Sequence, residues 1–160
     1  FQINYKVPGE LGADRISLVA GAVFAYPKKH CLIIDIGTCI TYDFVSKNSS
    51  YMGGSISPGF LMRYNSINAN TSKLPKLKMT IPKKITGDTT EACIHSGIFY
   101  GIIGEIQNQI HFYKKKYKDL TIILTGGDSQ YLANRIKNGR FASHKMKSRG
   151  LFSILKLNNS

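Results

Sequence analysis

The chain has 160 residues, 42% of them hydrophobic, three cysteines and a formal net charge of +13. That length and apolar content give one folded unit with a real core and exclude a disordered chain. No apolar run approaches the ~18 residues of a membrane helix, and Phe1-Gln2-Ile3-Asn4-Tyr5 carries no signal-peptide pattern, so no membrane partner is expected.

Residues 1–12 read as extended, with a turn at Pro8-Gly9. A helix is predicted over 13–26: Asp14 stands in its first turn, where the helix dipole favours a carboxylate, and Pro27 ends it. Ile16, Val19, Ala20 and Val23 give that helix one apolar face. Three strands follow near 31–36, 40–46 and 50–56, split by Gly37-Thr38 and by residues 47–50, which makes an antiparallel meander. Gly53-Gly54 signals a bulge or a close backbone approach. Ser57-Pro58-Gly59 opens a helix over 59–70, and the polar stretch 71–88 reads as a loop. A long helix is predicted over about 89–115, because Ile94, Ile98, Ile102, Ile106, Ile110 and Tyr113 recur at helical spacing. Lys114–Lys116 at its end complement the dipole. Residues 120–125 form a buried strand, Gly126-Gly127-Asp128-Ser129 turns it into a helix near 129–138, and residues 149–155 form a closing helix. This order is α/β, a mixed sheet covered by helices.

The net charge could mark a nucleic-acid partner. The lysines, however, are spread over 28–29, 73–78, 83–84, 114–118 and 145–147, with no basic helix and no basic motif interleaved with aromatics. That argues for a solvated basic surface attracting anionic ligands rather than nucleic acid. Cys31, Cys39 and Cys93 are odd in number without CxxC spacing, which favours a reducing compartment and argues against disulfides and zinc. His30, His95, His111 and His144 lack metal-ligand spacing and read as surface or hydrogen-bonded residues.

Three segments could carry chemistry. Leu11-Gly12-Ala13-Asp14-Arg15 places a carboxylate and a guanidinium at a helix start. Asp14 could take a proton from a substrate hydroxyl and Arg15 could hold a carboxylate; a helix cap with a local ion pair is the other reading. Asp35-Ile36-Gly37-Thr38 could hold a cation by its carboxylate and a phosphate by its backbone and hydroxyl. Thr125-Gly126-Gly127-Asp128 after a buried strand could let a nucleotide approach the backbone. Neither GxxxxGK[ST] nor GxGxxG occurs, so this is not a P-loop or a dinucleotide fingerprint.

Taken in order, these segments resemble type III pantothenate kinase. The resemblance runs from Tyr5 through residues 11–15, 34–43 and 53–59, then Leu74-Pro75, Gly87-Asp88-Thr89-Thr90-Glu91, Ser96-Gly97 and residues 125–128. It implies an actin-like ATPase (ribonuclease H-like) fold of the sugar-kinase superfamily. The implied reaction is phosphorylation of pantothenate by ATP, the first step of coenzyme A synthesis. The implied cofactors are Mg²⁺ with ATP and a monovalent cation, K⁺ or NH₄⁺; the implied assembly is a cytoplasmic homodimer. By resemblance, Asp14 is the general base; Tyr5, Gly12, Ala13, Asp14 and Arg15 form the pantothenate segment; and Thr90 reaches a substrate across the dimer. Asp35 is the monovalent-cation ligand, Gly37 and Thr38 contact ATP, and Gly126 and Gly127 form the adenosine-side turn. Family members also begin with an Asp-x-Gly-Asn-(Thr or Ser) phosphate motif on an N-terminal domain, and nothing like it stands ahead of Tyr5 in this sequence. The expected organisation is therefore residues 1–30 as the segment and helix that lead into the domain and carry the substrate motif, and 31–160 as the C-terminal actin-like kinase domain. The N-terminal phosphate-motif domain is expected to be missing. An alternative expectation is a non-catalytic relative acting as a transcription accessory or nucleic-acid-binding factor.

Overall fold

A computed structural model of the chain describes residues 1–132, 134–136, 140, 141, 146, 148 and 150–152. Its frame is a six-stranded sheet: β1 (Gln2–Ile3), β2 (His30–Ile36), β3 (Cys39–Val45), β4 (Ser50–Pro58), β5 (Leu120–Thr125) and β6 (Arg140–Phe141). The spatial order is β1-β4-β3-β2-β5-β6. β2, β3 and β4 pair antiparallel as the predicted meander, whereas β5 adds to β2, β6 to β5 and β1 to β4 in parallel. The sheet is therefore mixed, with helices on both faces.

Side-chain alternation along the strands divides the core in two. Leu32, Ile34, Ile36, Ile40, Tyr42, Ile122 and Leu124 point to one face, which packs on α2 (Phe60–Ala69) and α3 (Thr90–Lys116). The isoleucine stripe of α3 lies in this layer, with Ile102 and Ile106 wholly buried. Cys31, Ile33, Val45, Tyr51 and Ile123 point to the other face, which packs on α1 (Ala13–Ala25). β2 is buried on both faces, so it reads as a near-continuous apolar run.

Local chemistry sets the ends of these elements. Thr89 caps α3 by accepting a hydrogen bond from the Ala92 amide. Gly87 lets the preceding loop cross the first turn of α3, where a Cβ would lie 2.4 Å from the Cys93 nitrogen. Between the pairs Asp43↔Gly54 and Val45↔Tyr51, β4 carries one residue more than β3. The extra residue is accommodated at Gly53, whose φ is +93°, and this is the bulge that Gly53-Gly54 signals. Gly54 is required by the close approach, because a Cβ there would lie 1.5 Å from the Tyr42 carbonyl oxygen.

Three expectations change in detail. The buried side of α1 is broader than the Ile16–Val23 stripe, since Ser17 to Ala22 are all buried while Ile16 and Val23 are half-buried. Met146 and Gly150 press on its outer side: a Cβ on Gly21 would meet the Met146 carbonyl oxygen at 2.6 Å, and one on Gly150 the Ser17 carbonyl oxygen at 1.8 Å. The turn after β5 enters a 3₁₀ helix, Gly127–Leu132, rather than a helix starting at 129. There the Ser129 amide and hydroxyl both donate to the Gly126 carbonyl, an i to i+3 closure. Residues 1–12 are only partly extended, because a 3₁₀ turn occupies Pro8–Glu10. Of the closing helix, residues 150–152 are helical, while 149 and 153–155 lie outside the described residues, as do 133, 137 and 138 of the helix predicted near 129–138.

Candidate functional site

β2 and β5 run parallel, so their C-terminal ends meet at one edge of the sheet, with Asp35 in register with Thr125. On the antiparallel side Asp35 is in register with Thr41. Alternation puts these three side chains on the α1 face, in a row of one carboxylate between two hydroxyls. The next row inward is Ile123, Ile33 and Asp43. An open α/β sheet places its ligands at this end of its parallel strands.

The two glycine turns lie against each other there. Gly126 has φ +94°, and a Cβ on it would lie 2.2 Å from the Ile36 carbonyl oxygen and 2.6 Å from Asp35 Oδ1. Gly37 and Gly127 face open space, with no atom within 4 Å of a built Cβ. Thr38 is exposed at the tip of its turn, and its carbonyl accepts from the Gly59 amide at 3.0 Å, which ties the turn to the start of α2. Burial raises the carboxyl of Asp128, just beyond, above its ordinary value.

α1 brings the second group. Gly12 is its N-cap and faces open space, Ala13 begins the helix and Asp14 is exposed in the first turn. Arg15 turns inward. Its Nε and Nη2 reach Asp43 Oδ1 at 2.9 and 2.7 Å, and Nη2 also donates to the Tyr51 hydroxyl at 2.8 Å. Tyr51 in turn donates to Asp43 Oδ1 at 2.7 Å, and Thr41 donates to Asp43 Oδ2 at 3.2 Å. Asp43 is fully buried, and this set of donors is what allows a carboxylate there. Burial alone would lower the Arg15 pKa, but its hydrogen bond and charge pairing with Asp43 raise it above the usual value. Burial, then the bond to Asp43, pushes the Tyr51 phenol far above its ordinary range. Tyr5 completes the cluster, stacking on Tyr51 with ring centroids 6.1 Å apart and lying over Gly53.

The fold thus gathers Tyr5, Gly12, Ala13, Asp14 and Arg15 over the β3–β4 pair, next to Asp35, Gly37, Thr38, Gly126 and Gly127 at the strand ends. Thr90 is not part of that gathering: it is exposed in the first turn of α3, in the layer on the other face of the sheet. Arg15 pairs with Asp43, so the local-pair reading with Asp14 is replaced by a long-range one. Sequence reasoning missed Asp43 and Tyr51. The available signal was a carboxylate inside the strand Ile40-Thr41-Tyr42-Asp43-Phe44-Val45, where only a paired charge is tolerated.

On the opposite face Glu105 of α3 accepts from Tyr42 (2.6 Å), from Ser57 and from Arg63, while Arg63 also donates to the Pro58 carbonyl at 2.8 Å. Burial would raise the Glu105 carboxyl, but the three donors outweigh it and hold it below its usual value. This set clamps α2 and α3 onto β3 and β4.

The description of the matching family is type III pantothenate kinase, over residues 1–111. The type III pantothenate kinase of Flavobacterium psychrophilum is 49% identical over 143 residues, covering 89% of this chain and 59% of that protein. That of Christiangramia forsetii is 48% identical over 160 residues, covering 100% of this chain and 66% of that protein. The chain spans about three-fifths to two-thirds of the length of these curated relatives. Among solved structures, a Campylobacter jejuni protein described as a conserved Baf family transcriptional activator superposes with a TM-score of 0.68 at 27% identity, over 99% of this chain and 69% of that one. An archaeal actin homologue superposes with a TM-score of 0.55 at 11% identity, over 89% of this chain and 54% of that one, a likeness of fold alone. The sheet and its helices are actin-like.

Proposed function

The chain belongs to the type III pantothenate kinase family, and from that premise we propose that it carries the pantothenate site and one phosphate-side turn of an enzyme transferring the γ-phosphoryl group of ATP to the primary hydroxyl of pantothenate. The observation that supports this most is the convergence of the Asp14–Arg15 helix start and the Asp35 and Gly126 turns on one face and edge of the sheet. Phosphoryl transfer needs positioning and charge stabilisation more than covalent chemistry. Asp14, exposed at a helix start, accepts the hydroxyl proton as the nucleophile attacks. Arg15, locked by Asp43 and Tyr51, fixes the angle of that helix start, and Tyr5 walls the pocket beside it.

The residues present fit the implied cofactors. Gly37 and Gly127 leave room for a nucleotide against bare backbone, with the Thr38 hydroxyl beside it. Asp35 between Thr41 and Thr125 is an all-oxygen donor set, suited to K⁺ or NH₄⁺. Among the described residues no cluster of three or more His, Cys, Asp or Glu side chains could hold a metal, so Mg²⁺ would be held here chiefly through the ATP phosphates. Bound cations supply neutralisation of the phosphate charge.

Residues 1–30 lead in with the substrate motif, 31–160 form the C-terminal actin-like domain, and the enzyme works as a cytoplasmic homodimer in which the exposed Thr90 serves the partner's pantothenate pocket. Among the described residues no helix is long and apolar enough to cross a membrane. The test is pantothenate-dependent ADP release by the full-length protein. Asp14→Asn should lower kcat by about 10²–10⁴-fold; unchanged turnover would end the general-base role.

A second reading, a nucleic-acid-binding relative, rests on the description of the Campylobacter jejuni protein and on the charge of +13. Salt-dependent duplex binding would support it, and no binding at low salt would remove it.

A further inference from the structure

The sheet end opposite the candidate site holds a second concavity. β2 and β5 begin there and β3 ends there, so the turn before β2, the turn after β3 and the end of α3 all converge on it. The pocket measures about 210 Å³ and is lined by Lys28, Lys29, Lys47, Lys116 and Lys118. Asp119 is the acid among its lining residues, so five lysines and one acid surround it. One wall is aromatic: the His30 ring stacks on Phe44 at 5.9 Å and lies 4.6 Å from the Tyr117 ring. His30 Nδ1 accepts from the Lys47 amide at 3.2 Å, which leaves the ring proton on Nε2 as a donor. Burial and the Lys47 charge hold the His30 pKa below its ordinary value, so the ring is neutral near pH 7.

Complementing the α3 dipole accounts for Lys116 alone. Lys28, Lys29, Lys47 and Lys118 sit on three separate connections. The described ion pairs use Arg15, Arg63 and Lys84, and none of these five lysines. Lys28 also holds a φ of 58°, in the left-handed region that favours glycine, yet a lysine stands there. Like charges gathered around a concavity repel one another, and an anion bound between them relieves that repulsion.

We propose that this pocket binds the phosphate groups of a small, multiply phosphorylated ligand, at a site separate from the catalytic turns. His30 and Asp35 stand five positions apart along β2, about 17 Å at the usual rise of a strand, so one pyrophosphate-sized group cannot serve both ends. The size of the pocket suits one or two phosphoryl groups. A duplex would instead need a row of lysines matching many successive phosphates.

The test is amide NMR of the 160-residue chain titrated with pyrophosphate at constant ionic strength, with calorimetry alongside. Saturable shifts of the Lys47 and Lys118 amides are expected, whatever happens at Gly37 and Gly127. A Lys47→Ala/Lys118→Ala double variant should bind about tenfold more weakly, while Lys84→Ala, which removes a lysine elsewhere, should bind normally. Shifts confined to Gly37 and Gly127, no saturable shift, undiminished binding by the double variant, or binding of duplex DNA with pyrophosphate silent would each overturn the proposal. The shift map on the unaltered chain decides the matter even if the double variant does not fold.

Discussion

Arg15 and Asp43 stand 28 positions apart and meet at 2.7 Å, with the carboxylate wholly buried. The pair joins the first turn of α1 to the middle of β3, so whatever moves one moves the other. A buried charge that loses its partner is left uncompensated.

Arg15→Met should therefore destabilise the chain by about 3–5 kcal/mol, because it leaves the buried Asp43 carboxylate without its charge partner. Asp43→Asn keeps the shape and removes the charge; it should cost less stability yet loosen the helix start, raising KM for pantothenate in the full-length enzyme. Denaturant unfolding and steady-state kinetics of both variants check this. Arg15→Lys should not rescue, because one ammonium cannot reproduce the fork that meets Asp43 and Tyr51 together.

Gly126→Ala and Gly127→Ala should part company. At Gly126 the new methyl meets Ile36 backbone atoms at 2.2 and 2.5 Å in a left-handed backbone. The cost should be about 2 kcal/mol or more, read as a lowered Tm. At Gly127 the methyl meets nothing within 4 Å, and Tm should stay within about a degree or two of the parent.

Glu105 should govern the acid limb of stability. Its folded pKa is depressed below the ordinary 4.5. The stability it contributes is present above that value and is lost as pH falls through the lower folded value. Glu105→Gln should flatten the fall in stability below about pH 5, measured by urea unfolding at each pH.

The cysteines should react in order of exposure. Cys93 is exposed, Cys39 half-buried and Cys31 buried, with burial pushing the Cys31 thiol up to about 11. A thiol reagent at pH 8 should label Cys93 first and leave Cys31 unlabelled until the chain unfolds, as mass spectrometry of the peptides would show.

The elements were legible because their signals are local. The isoleucine stripe of α3, the apolar β2 and the glycine turns each announce themselves within one continuous stretch of chain. The long-range pairing was not legible: nothing near Arg15 in sequence points to Asp43 or Tyr51, and only the bulged β3–β4 register brings them beneath α1. The Glu105 clamp was missed for the same reason, since Tyr42, Ser57 and Arg63 come from three separate elements. Of the candidate site, the turns at Asp35 and Gly126 were readable one by one; their contact follows from parallel pairing across a connection that contains two helices.

That last connection has a kinetic meaning. Asp35 and Thr125 become neighbours only when a strand that leaves the meander at Pro58 returns, two helices later, to pair with β2. The row of oxygens at the strand ends therefore cannot assemble locally; it closes only with a pairing between strands far apart in the chain. The amides of β2 and β5 should accordingly share one opening event in hydrogen exchange, with no partial unfolding that loosens the Asp35–Thr125 row while the rest of the sheet holds.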